Sequence, residues 1–514
     1  MSSVRVACAA AAISLLAGCT VGPNFAEPSL FAPSSWFASR PPQPRTVSLT
    51  APEPIDPDWW KLFNDPELVD LERQIAAANL SVRLATIRLA ESRYERGVAA
   101  ADQFPGVNGN ASYTREKVST EGVAALIGSS GSSTTASTNG LGGTTNGFPT
   151  PSPGIPSFDL FQSGFDASWE VDLWGRVRRE VESADASVEA SAEARRDSLL
   201  SNLAELARDY LQLRGQQRDL EIVKQTLASD QQSLSLTQER QRGGLTTDLD
   251  VSNAAAEVAS TAAQIPNLEQ QIATTMNALA FLLGETPGAL NAKLQTAQPV
   301  PPVPPVIPVG VPSELARRRP DIREADAQLH AATADIGQAE ADFLPKVTLS
   351  GSAGLQSLQL KNLGNWGAKM YSIGPSITLP IFEGGRLKYT LDLRKAQQQE
   401  AAVTYQQTVL RAFHEVDDAL TAYSAEQLRQ RQLATAVSQS SRTLDLARQQ
   451  YVQGLATFLD VLTAERTLYS AQRSYADSTT TISTNLVQLY KALGGGWEDT
   501  FPRGAPSEAA PKLF

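Results

Sequence analysis

Two aspartates stand out by spacing. Asp250 and Asp460 each lie three residues after a threonine, Thr247 and Thr457, and each threonine lies three residues after a glycine, Gly244 and Gly454. Thr-x-x-Asp is a helix-start pattern in which hydroxyl and carboxylate satisfy unpaired N–H groups of the first turn, and the carboxylate meets the positive end of the helix. Glycine just upstream suits the left-handed cap that ends an incoming helix. The spacing therefore predicts two tight helix–turn–helix reversals. It leaves open whether either carboxylate does more than cap.

Other chemistry-bearing residues are sparse. His330 and His414 have no companion cysteine or acidic cluster at ligand spacing, so no metal, cofactor or catalytic residue is assigned, and an enzyme is not expected. The cysteines are Cys8 and Cys19. Arg5 is the single charge of the first eighteen residues, an apolar run from Val6 to Leu16 follows it, and Leu16-Ala17-Gly18-Cys19 closes the segment. That is the pattern of a bacterial lipoprotein signal. Residues 1–18 are expected to be removed and Cys19 to become a lipid-bearing N-terminus, with Thr20 fitting proteins forwarded to the outer membrane. No thiol then remains for a disulfide. The net charge of −11 disfavours nucleic acid as a partner. Beyond the signal no run of about 18 apolar residues occurs, so a membrane could be crossed only by a β-barrel.

The elements that would hold the two turns occur twice. A shift of 210 residues superimposes Gly175-Arg176 on Gly385-Arg386, Glu205 on Glu415, Leu249-Asp250-Val251 on Leu459-Asp460-Val461, and Leu283-Gly284 on Leu493-Gly494. Upstream the shift becomes 240, pairing Arg83 with Arg323, Gly97 with Gly337 and Pro105 with Pro345. The extra thirty residues of the first copy hold a Gly/Ser/Thr run from Gly128 to Thr150, read as a surface loop. Each copy reads helix, strand, loop, strand, long helix, turn, long helix. Leu199, Leu206, Leu213, Leu220, Leu227 and Leu234 recur at seven-residue intervals, as do Val409, Val416, Tyr423, Val437 and Leu444 with Gln430 interrupting. A period of 3.5 specifies packing against other helices. A continuous helix from Arg176 to Gln241 would reach about 100 Å. Pro266 should kink or break the second long helix of the first copy.

Strands are predicted from the alternation of Phe165, Ala167, Trp169, Val171 and Leu173, from Ile373, Ile377, Leu379 and Ile381, and from Val107–Tyr113 and Val347–Leu355. Four strands of about ten residues have spanning length, but closing a barrel takes about eight or more. Three chains would supply twelve. The resulting organisation is a signal (1–18), an extended segment (19–64), a first repeat (65–290), a Pro-rich linker (291–313), a second repeat (314–496) and a tail (497–514).

Four stretches carry a family resemblance: Cys19-Thr20-Val21-Gly22-Pro23-Asn24-Phe25, Trp59-Trp60-Lys61-Leu62-Phe63, Val309 to Ile322 with its Arg317-Arg318-Arg319-Pro320-Asp321, and the duplicated Leu-Asp-Val turn. Together they resemble the outer membrane factor (TolC-like) family, in its NodT- and OprM-like lipoprotein branch serving RND-type tripartite efflux. The resemblance implies an α+β membrane protein. Its homotrimer would form a twelve-stranded β-barrel, four strands per chain, continued by a long α-helical periplasmic tunnel. Such a chain is an exit duct for small molecules such as drugs or toxic compounds, held in outer-membrane lipid and opened at its tip by a periplasmic adaptor and an inner-membrane pump. The duct of a type I protein secretion system is the alternative.

The family also implies site residues. Gly244, Leu245, Gly454 and Leu455 would form the hairpin tips that meet the adaptor. If the second hairpin lines the tunnel tip, three copies of Asp460 form a carboxylate ring with Leu459 and Thr463 at adjacent levels, and such rings select cations. An acidic residue is common in the family where Thr463 stands, so the charged constriction is thinner here. Tyr451 resembles the tyrosine that ties inner to outer hairpin, and Asp250 matches its acidic partner. Ala456 replaces the arginine that usually completes this lock.

Overall fold

A computed structural model describes residues 20–28, 49–51, 53–117 and 157–502. The signal, Cys19 and the Gly/Ser/Thr run all lie outside them. In chain order the elements are β1 (Leu49–Ala51), a 3-10 turn (Trp59–Phe63), α1 (Pro66–Ala78), α2 (Leu80–Ala101), β2 (Gly106–Glu116), β3 (Phe158–Val171), α3 (Arg176–Arg242), α4 (Asp248–Ala262) and α5 (Gln264–Leu282). They continue with α6 (Asn291–Leu294), β4 (Val306–Pro308), α7 (Pro312–Arg318), α8 (Pro320–Ala341), β5 (Lys346–Ser357), β6 (Lys369–Thr378), α9 (Arg386–Val452) and α10 (Phe458–Leu493). The 210-residue offset recurs in α3 and α9, each of 67 residues. The 240-residue offset recurs in α2 and α8, each of 22.

The compact units cut across this repeat, because each draws residues from both copies. One unit comprises Met1–Pro23, Gly97–Glu182 and Ala334–Arg394, and the other comprises Asn24–Arg96, Ser183–Thr333 and Lys395–Phe514. The first holds an antiparallel sheet in the order β2-β3-β5-β6, with strands of 11, 14, 12 and 10 residues. The outer edges of β2 and β6 have no strand partner among the described residues.

The second unit holds the helical core. Leu199, Leu203, Leu206, Tyr210 and Leu213 of the heptad seam are buried with Val409, Val416 and Tyr423 of its counterpart. Further along α3 the seam turns partly outward: Leu220, Leu227 and Leu234 are half-buried while Ile222 and Val223 take the core positions. A helix of 3.6 residues per turn drifts about 20° per heptad from a strict seven-residue row. Gln430, the polar interruption, donates to the Thr479 hydroxyl at 2.9 Å.

The extended segment, the Pro-rich linker and the tail all join the helical core. Trp59, Trp60 and Phe63 are buried, Trp59 stacks on Tyr490 and donates to the Gly495 carbonyl, and β1 pairs in parallel with β4 of the Pro-rich linker. Trp497, assigned to the tail, is buried in the same core. Arg319 of the arginine run bonds the Ala492 carbonyl at 2.8 Å and pairs with Asp321 and Glu415, fastening the start of the second repeat to its last helix.

Candidate functional site

The sheet has two chemically distinct faces, fixed by register. In rows across the strands, one face carries Val107, Ala167, Gly351 and Ile373, then Gly109, Phe165, Ala353 and Tyr371. The opposite face carries Asn108, Asp166, Ser352 and Ser372, followed by Asn110, Gly164, Gly354 and Met370. On the apolar face Phe165, Tyr371, Ile373 and Ile377 are exposed. On the polar face Asp166 accepts from Asn110 at 2.8 Å and Asn108 at 3.3 Å, and Ser352 bonds Ser372 at 3.0 Å. A strand period of two makes one wall compatible with hydrocarbon and the other with water, the pattern of an outer-membrane barrel.

Residues 20–23 lie against the end of this sheet. The Val21 N–H donates to the Trp174 carbonyl at 3.0 Å, and Arg179 reaches the Val21 and Gly22 carbonyls. Thr20 sits on Gly175, which has a φ of +83° and no room for a side chain. The residue after Cys19 is thereby fixed a few positions past the end of β3.

The two turns fold alike. Gly244 and Gly454 have φ of +72° and +75°, Leu245 N–H bonds the Arg240 carbonyl at 2.9 Å, and Leu455 N–H bonds the Gln450 carbonyl at 2.8 Å. This six-to-one closure is a Schellman cap, which glycine adopts without steric cost. Leu245, Leu249, Leu455 and Leu459 are all exposed at the tips. The aspartates then diverge. Asp460 accepts from the Thr457 N–H at 2.8 Å and the Thr457 hydroxyl at 2.7 Å, and these two bonds hold its carboxyl below the ordinary range. Asp250 accepts from the Thr246 and Thr247 hydroxyls. Asp460 and Thr463 are exposed, and the Thr463 hydroxyl turns back to the Leu459 carbonyl at 2.7 Å.

The expected tie between Tyr451 and Asp250 is not made. Tyr451 is buried against Phe458, its hydroxyl has no hydrogen-bond partner among the described residues, and the Arg240 guanidinium covers its ring at 4.6 Å. The Thr246 and Thr247 hydroxyls both bond one oxygen of Asp250, Oδ2. The hairpins are joined instead by residues that spacing did not reveal. Arg240 donates to the Val452 carbonyl at 3.1 Å, Ser233 to buried Glu465 at 2.6 Å, and Arg448 to both Glu465 and Ser229. Arg466 pairs with Glu257 at 2.5 Å. Apart from Arg448–Glu465, which lies within the second hairpin, these partners are some two hundred residues apart in sequence, so only the repeat offset, combined with the knowledge that the hairpins lie side by side, could have suggested them.

A sheet watertight on one face and hydrated on the other, carried in the same chain as two long helical hairpins with capped tips, defines a TolC-like outer-membrane channel. The chain belongs to the outer membrane efflux protein family, which it matches over residues 71–285 and 311–495. It is 30% identical to the outer membrane protein OprJ of Pseudomonas aeruginosa over 484 residues, 94% of each chain. It is 31% identical to the solvent efflux pump outer membrane protein SrpC of Pseudomonas putida, covering 95% of this chain and 97% of SrpC. Among solved structures, the outer-membrane channel OprN superimposes with a TM-score of 0.83 at 33% identity, over 93% of this chain and 100% of OprN.

Proposed function

We propose that three copies of this chain close one twelve-stranded barrel and one helical tunnel, forming the passive exit duct of a tripartite efflux system for small molecules such as drugs or toxic compounds. The observation that carries this reading is the four-stranded sheet with one apolar face, one polar face and two unpaired edges. Unpaired N–H and C=O groups at an edge cannot be left in hydrocarbon, so the edges of β2 and β6 must pair between copies. The polar face becomes the lumen. SrpC, a relative of similar length, is named for solvent efflux, and this favours small molecules over the protein cargo of a type I secretion duct.

In this reading the helical part lies in the periplasm. A periplasmic adaptor engages the exposed tip leucines, an inner-membrane RND-type pump drives the cargo, and the chain performs no chemistry and needs no cofactor. Cys19 carries the lipid. The support is positional, since Thr20 is pinned on Gly175 close to the end of β3, near the membrane surface where an acyl chain must enter. Light scattering of the detergent-solubilised protein tests the assembly, with three chains expected and a stable lipid-inserted monomer contradicting it. Mass spectrometry of the mature N-terminus tests the anchor, and an unmodified Cys19 would remove it.

A further inference from the structure

Asp219, a buried acid of α3, takes no part in the channel reading. Asp219 is 9% exposed and its Oδ1 has no hydrogen-bond partner among the described residues. One turn away α3 makes a close approach to α10, where a Cβ on Gly215 would clash with the Thr480 side chain. Asp477, three residues before Thr480, faces Asp219 with a second carboxylate. Nearby, the Tyr469 hydroxyl donates at 2.7 Å to Gln264, the first residue of α5 beside the helix break. The surrounding charges are Arg473 on α10, the Arg218–Glu221 pair on α3, the Lys224–Glu269 pair reaching α5, and the Glu426–Arg429 pair on α9. Burial and Asp477 push the Asp219 carboxyl up to about 7, with Arg473 opposing.

We propose that Asp219 and Asp477 share one proton and so latch the first-repeat helix α3 to the second-repeat helix α10. Protonated, one carboxyl donates a hydrogen bond to the other carboxylate across the interface. Ionised, the two repel in a partly dry setting, and Arg473 offsets only part of that. If the helices separate, both acids are hydrated and titrate at ordinary carboxylate values. The latched state therefore binds more protons than the separated one. Its advantage is present in acid and is lost as pH rises through about 7. The inference rests on reading these hairpins as the wall of the duct and adds a regulator to that gate.

The test uses full-length protein in planar bilayers from roughly pH 5.5 to 8.5. Wild-type conductance should rise with pH through a midpoint near 7. Asp219→Asn keeps a neutral donor to Asp477 at every pH, so its profile should be flat and low. Asp477→Asn presents the same neutral donor from the other side, to Asp219, and its profile should likewise be flat and low. Infrared difference spectra provide a readout independent of conduction: the protonated-carboxyl band lost around pH 7 in wild type should be weaker in Asp219→Asn, leaving the contributions of Asp230 and Glu324, which are pushed up to about 6. A wild-type slope retained by Asp219→Asn, or the absence of that band from wild type, would overturn the latch. Failure to conduct at any pH would count against the duct reading, while the band still decides the latch.

Discussion

The two hairpins are built from the same repeat and end in the same turn, yet their returning limbs differ. In the first copy the chain comes back as α4 and α5, interrupted at Ala263, whereas in the second it comes back as one helix of 36 residues. Pro266 falls in the first turn of α5, where its missing N–H would have no intrahelical acceptor, so the break accommodates it. The uninterrupted limb carries Glu465, buried and bonded to Ser233 and Arg448, where the first copy has Ala255. Duplication thus fixed the turn geometry. The cross-hairpin chemistry uses residues that differ between the copies, such as Arg240 against Gln450 and Glu465 against Ala255.

This contrast can be broken by moving the proline. Ala476 is the counterpart of Pro266 and lies buried in mid-helix, so Ala476→Pro should cost about 3 kcal/mol or more through a lost hydrogen bond and a ring clash. Pro266→Ala should shift stability by less than about 1 kcal/mol. Denaturation followed by far-ultraviolet circular dichroism compares them, and equal losses would deny the asymmetry.

Removing the inter-hairpin anchor should come next in size. Glu465→Ala deletes the acceptor of Ser233 and Arg448, and since Arg448 is 35% exposed and can rehydrate, about 2 kcal/mol is expected rather than the full penalty of a broken buried pair. Cysteine pairs placed across the hairpins should crosslink more slowly in this variant. An unchanged crosslinking rate and melting curve would mean that Glu465 holds nothing.

The smallest effect should be the most symmetrical. Gly244→Ala and Gly454→Ala each force a Cβ into the left-handed region with open space around it, so each should cost about 1 kcal/mol by the same denaturation measurement. A marked difference between them would show that the two turns are not equivalent.

The sequence carried the repeat, the turns, the strand parity and the break near Pro266 because each is written in local spacing or in a constant offset. The long seam was legible as far as Leu213, where the helix still follows a seven-residue row, and was lost where helical drift brought Ile222 and Val223 inward. Asp460 capped as its spacing required. The Tyr451–Asp250 tie came from resemblance rather than from spacing, and the Tyr451 ring packs against Phe458 and under Arg240 instead. Arg448 and Glu465, seventeen residues apart on different helices, follow no helical or strand period, and their partners Ser229 and Ser233 look ordinary in sequence.

Whether the second hairpin lines the pore is the point on which the account most depends, and ion selectivity in planar bilayers measures it. Asp460→Asn preserves size while removing what would be three charges around one axis, and a narrow passage strengthens each of them. Reduced cation preference and weaker block by multivalent cations are expected for Asp460→Asn, with a smaller change for Asp250→Asn. Because its two bonds to Thr457 hold the Asp460 carboxyl below the ordinary range, both its charge and its contribution to the cap are present above that range and are lost only as pH falls through the lowered value. Equal effects from the two variants, or none from Asp460→Asn, would return both aspartates to capping and contradict the placement of the second hairpin at the constriction.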